Sequence, residues 1–234
     1  MTTFLIRQMH LKFREFNSNQ RKFASVLLAS FVIPLSPTDW KILEYGKIPP
    51  NKVSFNEGSM EVKVSSSNNP IIFPMPEVKE YQGFEAKFSV SSNPMPPVTE
   101  WDDDALVRIG FVAQGERTMN KALLWLSPSW IKELFKLAPK GTGIDKIYFF
   151  NLGRPNQKIG QSRIFPGAKE LVSEEVISNF EEGKTDYHFI HSFKTPRKIA
   201  GLWLSMDGDV TKTKFDVVIK EIKLIEAEEK SNSF

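Results

Sequence analysis

From Ile199 to Leu224 apolar and polar residues alternate on both sides of the segment Asp207-Gly208-Asp209-Val210-Thr211. Side chains two apart share one face of a strand, so this pattern calls for two half-buried strands and does not suit helices. The turn-forming residues between them make the stretch read as a hairpin. Its expected core face carries Ala200, Leu202, Leu204, Met206, Phe215, Val217 and Ile219. The phase slips at Lys220-Glu221, because Ile222 and Leu224 resume one position late. A β-bulge is the expected cause.

The same period runs through the preceding chain. Met60, Val62 and Val64 alternate with Glu61 and Lys63. Phe84, Ala86, Phe88 and Val90 alternate with Glu85, Lys87 and Ser89, and Val107, Ile109 and Phe111 with Arg108 and Gly110. Ile147 to Phe150 predicts a strand covered on both faces, and Tyr187 to Phe193 a further one. The stretch from Gly167 to Phe180 fits a helical turn or a charged edge strand equally well. Segments rich in Ser, Asn, Pro and Gly punctuate these strands, as at 65–70 and 91–97. One segment differs: after Ser127-Pro128, the residues Ile131, Leu134, Phe135 and Ala138 fall at helical spacing, and Pro139 and Gly141 end the run. The expectation is an all-β chain, an antiparallel β-sandwich of jelly-roll or galactose-binding-like type, with one short helix near 128–138.

A chain of 234 residues with 19 Phe has ample material for one such core. It has no cysteine, which excludes disulfides, thiolate metal sites and cysteine nucleophiles. The formal net charge of +3 is concentrated at the start of the chain. Arg7, Lys12, Arg14, Arg21 and Lys22 face only Glu15 there, so the remainder is close to neutral and offers no basic stripe for phosphates. No nucleic-acid partner is expected.

Those basic residues precede Phe23-Ala-Ser-Val-Leu-Leu-Ala-Ser-Phe-Val-Ile-Pro-Leu35, an apolar run too short to span a bilayer. A basic region followed by such a run has the form of a secretory signal. Residues 1–36 are therefore expected to form a signal peptide or membrane-directed segment, and 37–234 a single sandwich domain. That implies a periplasmic or secreted protein with no transmembrane span. The alternative is an N-terminal helix that packs on the domain or lies on a membrane surface.

Asp103-Asp104 with Arg108, and Lys198-Ile-Ala-Gly-Leu-Trp-Leu-Ser-Met-Asp-Gly-Asp-Val-Thr211, carry a resemblance. The sequence resembles an uncharacterised bacterial family of exported proteins, a domain of unknown function, with Asp-Asp-x-x-x-Arg and Ile-Ala-Gly…Asp-x-Asp-x-Thr motifs. Leu124-Trp125-Leu126 and Asp186-Tyr187 are similar to that family's middle region, and Lys212-Thr-Lys214 departs from it. The resemblance covers most of residues 40–225. It implies a β-sandwich and an envelope location, and carries over no activity.

Three constellations could bind something. Asp207, Asp209 and Thr211 could offer oxygen ligands at i, i+2 and i+4 to a structural Ca²⁺; the plainer reading is a turn whose carboxylates bond backbone N–H groups. Asp103, Asp104 and Arg108 could form an ion-pair cluster that orders a loop, or Arg108 could grip a carboxylate or a sugar hydroxyl. Trp203 falls on the face opposite Leu202 and Leu204, beside Gly201 and Ser205, with Asp216 expected on its side. It would then be a platform for a ligand ring, unless the helix or the N-terminal segment covers it. His188 and His191 lie three apart on one strand and face opposite sides. No metalloprotease, nucleophile-elbow, phosphate-loop or dinucleotide motif is present.

The expected function is a non-catalytic exported module that binds an envelope or extracellular ligand, carbohydrate before others, through Trp203, Arg108, Asp104 and Asp216. A glycan-cleaving hydrolase or lyase on the same fold is the first alternative, with Asp207, Asp209, Asp104, Tyr148 and Tyr187 as candidates. An envelope structural or protein-interaction domain is the second.

Overall fold

The computed structural model describes residues 29–92, 105–155, 157–165 and 170–227. Among the described residues eleven strands form one hydrogen-bonded sheet. Three short ones come first, β1 (Ser30–Val32), β2 (Lys41–Ile42) and β3 (Lys52–Asn56), and then β4 (Ser59–Ser65), β5 (Ile71–Ser92) and β6 (Val107–Gly115). After two helices, α1 (Lys121–Leu126) and α2 (Ser129–Lys136), follow β7 (Gly143–Gly153), β8 (Ser162–Ile164), β9 (Val172–Asn179), β10 (Asp186–Ser205) and β11 (Lys214–Glu226). The order is β3-β4-β11-β5-β10-β6-β7-β9-β8, with β1 on β11 and β2 on β5.

Two long strands turn this sheet into a sandwich. The first half of β10 (186–192) pairs with the second half of β5, and the second half of β10 pairs with the first half of β5 and with β6. A register shift between Ser192 and Arg197 marks the bend. One layer is β3, β4, β11 and the second half of β5; the other is the second half of β10 with β6, β7, β9 and β8. Phe84 of the first layer consequently meets Phe111 and Phe150 of the second, at ring-centroid distances of 4.7 and 5.3 Å. Met60, Val62, Val64, Phe88, Ile109, Leu202, Leu204, Phe215, Val217 and Ile219 complete this inter-layer core. The all-β sandwich is as expected. It is mixed, however, since β7 and β9 run parallel through the connection 154–171, with β8 antiparallel to β9.

Several local expectations change. The bulge at Ile219/Glu221 is present, but β10 and β11 are not a hairpin: β5 lies between them. A second register shift, between Ile199 and Gly201, moves Ala200 away from the inter-layer core and onto Trp203's face. The helix expected near 128–138 is α2, and a second helix, α1, forms where the alternation of Ala122, Leu124 and Leu126 predicts a strand. Asn120 caps α1 by accepting from Leu123 N–H at 2.8 Å, and Leu134 of α2 is fully buried. The boundary expected at residue 36 moves too. Ser30–Val32 pairs with Lys223–Ile225, Ile33 is buried, and Trp40 Nε1 donates to the Pro34 carbonyl. The second half of the apolar run thus belongs to the sandwich, while residues 1–28 lie outside the described residues. Among the described residues no helix is long and apolar enough to cross a membrane.

Candidate functional site

The site lies on the outer face of the second layer. Strand register places Trp203 opposite Gly110, Gly110 opposite Phe149, Phe149 beside Glu174, and Glu174 opposite Arg163. One row across five strands therefore reads aromatic, gap, aromatic, carboxylate, guanidinium. The gap is required: a Cβ on Gly110 would lie 2.5 Å from the Phe149 ring and 2.8 Å from the Trp203 carbonyl oxygen. The neighbouring row carries Ser205, Arg108 and Asn151.

Around this floor stand four walls. Trp130 of α2 meets Trp203 edge to face at 6.4 Å. Tyr45 and Ile48 come from the β2–β3 connection, Phe165 follows β8, and Asp207, Asp209 and Val210 come from the connection after β10. Together they enclose a pocket of about 330 Å³, at the small end of the usual range for ligand sites.

Buried charges organise the pocket. Arg108 donates from Nη1 to Asp207 Oδ2 at 2.8 Å and lies with Nε 3.2 Å from Glu174 Oε1. Arg163 Nε donates to Glu174 Oε2 at 3.0 Å. Asp207, Arg108, Glu174 and Arg163 thus form an alternating chain of charges, the first three of them buried. Charges taken out of water are tolerated when paired and hydrogen-bonded in this way.

The connection carrying Asp207 is tied down by polar contacts. Asp207 N–H donates to the Ala105 carbonyl and Gly208 N–H to the Ser67 carbonyl. Asn51 Nδ2 donates to the Met206 carbonyl and Asn51 Oδ1 accepts from Ser67. Gly208 is needed for space, since a Cβ there would lie 2.7 Å from Thr213 Oγ1 and 2.9 Å from a Val64 methyl. Arg154, fully buried, donates to Thr211 Oγ1 at 2.8 Å.

The expected site residues separate accordingly. Trp203, Arg108, Asp207 and Asp209 do line one pocket. Of the two readings of Trp203 the covered one holds: it is only 3% exposed and Trp130 of α2 packs over it, so the accessible indole at the pocket is that of the half-buried Trp130. Asp216 is not on Trp203's side. It pairs with Lys63 and Ser91 in the first layer. Asp103 and Asp104 lie outside the described residues, and the carboxylates seen on Arg108 are Asp207 and Glu174. Asp207 and Thr211 are engaged by Arg108 and Arg154, and among the described residues no cluster of three His, Asp or Glu side chains could hold a metal ion.

Tyr45, Trp130, Arg154, Arg163 and Glu174 were not legible as site residues. Glu174 had a signal, a carboxylate alternating in phase with Val172 and Val176. Arg154, in a connection without periodicity, had none.

The ionisable groups suit hydrogen bonding. Burial pushes the Tyr45 phenol up to about 12, with Arg108 opposing and Asp207 and Asp209 adding to the rise. A neutral phenol therefore sits beside the carboxylates as a donor. Tyr148 is likewise raised to about 12 by burial and by its hydrogen bond to Asp145, so it too is protonated near pH 7. His191 is held below its ordinary value by burial, and exposed His188 contacts Glu85 at 2.8 Å.

No protein family matches the sequence, and no curated protein does either. Solved structures show distant likeness only. A family 11 carbohydrate-binding module from Clostridium thermocellum, in complex with a mixed-linked tetrasaccharide, aligns over 86% of this chain and 98% of its own, with 12% identity and a TM-score of 0.40. A mutant of a family 29 carbohydrate-binding module aligns over 84% and 90%, with 8% identity and a TM-score of 0.33. The potassium-bound carbohydrate recognition domain of Emp46p aligns over 82% and 90%, with 16% identity and a TM-score of 0.36.

Proposed function

We propose that this protein is a non-catalytic β-sandwich module that binds carbohydrate in the pocket between Trp130, Tyr45 and Asp207. The observation that carries this reading is the juxtaposition, on one rigid sheet face, of aromatic rings with a fixed chain of buried charges. A sugar ring has apolar C–H faces and a rim of hydroxyls. The faces suit Trp130 and Phe165, and the rim suits carboxylates that accept and a neutral phenol that donates. The arginines hold Asp207 and Glu174 in place before any ligand arrives, which lowers the ordering cost of binding.

The experiment is a glycan array probed with the full chain, followed by titration of the best polysaccharide. Binding that is lost in Trp130→Ala, with an unchanged far-ultraviolet spectrum, supports the reading. A blank array with folded protein overturns it.

Export belongs to the same proposal. The basic residues before Phe23 and the apolar residues after it support a signal function, and the place of Ser30–Val32 in the sheet requires any cleavage to fall before Ser30. N-terminal sequencing of protein recovered from an export-competent host tests this. A mature start beyond Ser30 would contradict it.

A further inference from the structure

A second pocket, of about 260 Å³, opens between the bend of β10 and the edge strand β8 with its neighbour β9. Its apolar side is built on Phe150, which lies 4.4 Å from the His191 ring and is stacked with Phe193 at 5.7 Å. Its polar side is cationic. The Arg197 guanidinium lies over the Tyr148 ring, 3.5 Å from its centroid, and Lys194 and Arg163 stand beside it.

The charges on this wall are not equivalent. Arg163 is engaged by Glu174, and Glu174 also faces Arg108, so that carboxylate is matched on both sides. Lys194 and Arg197 form no ion pair among the described residues, and buried Arg197 Nε has no hydrogen-bond partner among them. Glu175 is the remaining carboxylate on the wall. Two unmatched cations against one carboxylate leave an excess of positive charge in a concave, aromatic-lined space. Burial holds neighbouring His191 below its ordinary value, so it stays neutral near pH 7.

A guanidinium held over a ring has little freedom left to lose, and its terminal N–H groups can meet a carboxylate as a fork. Lys194 adds a flexible point charge for the same anion. Phe193, His191 and Tyr148 offer apolar surface to the body that bears it.

We propose that this pocket binds the carboxylate of an acidic sugar residue of the uronic-acid class, as a subsite adjoining the Trp130 pocket, with which it shares Phe149 and Glu174. The choice of a sugar as the carboxylate's carrier rests on the carbohydrate reading above; the anion chemistry rests on Arg197 and Lys194 alone.

The test is calorimetric titration of the full chain with oligogalacturonate and with the same oligomer as its methyl ester. The acid form is expected to bind about tenfold or more tighter than the ester, as one charge-assisted pair is worth, and to weaken as salt is raised. Arg197→Gln should remove that preference, and Lys194→Gln should reduce it. Lys194 is an exposed side chain, so its replacement is expected to leave the fold intact.

Equal affinity for acid and ester, no binding of the acid form, or preference unchanged in both variants would overturn the proposal. The two readings fail separately. Trp130-dependent binding of neutral glycans with no preference for the acid form sinks this one alone. Arg197-dependent binding of the acid form with no neutral glycan bound on the array sinks the Trp130 pocket alone.

Discussion

Arg108 and Asp207, 99 positions apart in the sequence, meet through a buried hydrogen bond of 2.8 Å. The contact joins the start of β6 to the connection that leaves β10, and the same guanidinium faces Glu174 on β9. Removing Asp207 would take one buried carboxylate away from this guanidinium. We expect Asp207→Ala to cost about 3 kcal/mol, the lower end for a broken buried pair, because Glu174 remains. In a chain of this size that lowers Tm by about 6–12 °C. Urea denaturation checks it, and a loss within about 0.5 kcal/mol, ordinary for a surface change, would show that the pair adds no stability.

Calcium should not matter to this connection. Asp207 and Thr211 are held by Arg108 and Arg154, and a divalent cation among them would have to displace two guanidinium groups. Thermal unfolding is therefore expected to be the same with chelator as with added Ca²⁺. A rise of Tm with Ca²⁺ concentration, as linkage requires of a bound ion, would restore the cation site.

Trp130 and Trp203 should separate under mutation. Trp203 is buried and fills the space beneath α2, so Trp203→Ala should cost about 3–5 kcal/mol of stability. Trp130 is half-buried at the pocket mouth, so Trp130→Ala should lower glycan affinity at least about tenfold, within the range for an aromatic anchor, while destabilising less. Denaturation and titration of both variants decide between these roles; the opposite ranking would mean that Trp130 is only a lid on the core.

How far the sequence could be read follows from what a period-two pattern encodes. It tells which residues share a face, and it placed Phe84, Phe88, Ile109, Leu202 and Phe215 correctly in the inter-layer core. Even the slip at Lys220-Glu221 was visible, because a bulge changes the phase. The pattern does not tell which strand lies alongside. β10 and β11 look like a hairpin by proximity, yet β5 pairs with both, since its 22 residues run through both layers. Ala200 was misplaced because its bulge lies where neighbouring residues are uniformly apolar or small, so no phase change shows. Trp203 was correctly set apart from the inter-layer core, and of the two covers open to it, the N-terminal segment and the helix near 128–138, the helix supplies one through Trp130. The ion-pair chain was least legible. Arg108 stood out, whereas its partners Asp207 and Glu174 come from two other strands' ends and edges.

Alkaline pH should unfold the protein through its tyrosines. Tyr45, Tyr81 and Tyr148 are each raised to about 12, chiefly by burial, and burial raises Tyr187 as well. A tyrosine whose pKa is higher in the folded chain than in the unfolded chain favours folding while both are protonated. Between about pH 10, the unfolded value, and about pH 12 the unfolded chain loses protons that the folded chain keeps. Stability is therefore full below that window and falls across it. Titration of tyrosinate absorbance should show ionisation coinciding with loss of the folded signal, and tyrosines ionising freely near pH 10 in folded protein would refute it.

Gly110 tests the geometry of the pocket floor directly. Phe149 and the Trp203 backbone occupy the space where a side chain would stand, at 2.5 and 2.8 Å from an added Cβ. The Phe149 ring can rotate away, but the Trp203 carbonyl is fixed in the ladder between β10 and β6. Gly110→Ala should therefore cost about 1–3 kcal/mol, as overpacking does, despite the usual gain from replacing glycine in a strand. It should also lower glycan affinity, because a displaced Phe149 enters the space beside Trp130 and Glu174. Denaturation and titration of this one variant read both effects. A stable variant with unaltered affinity would mean that the floor adjusts without cost.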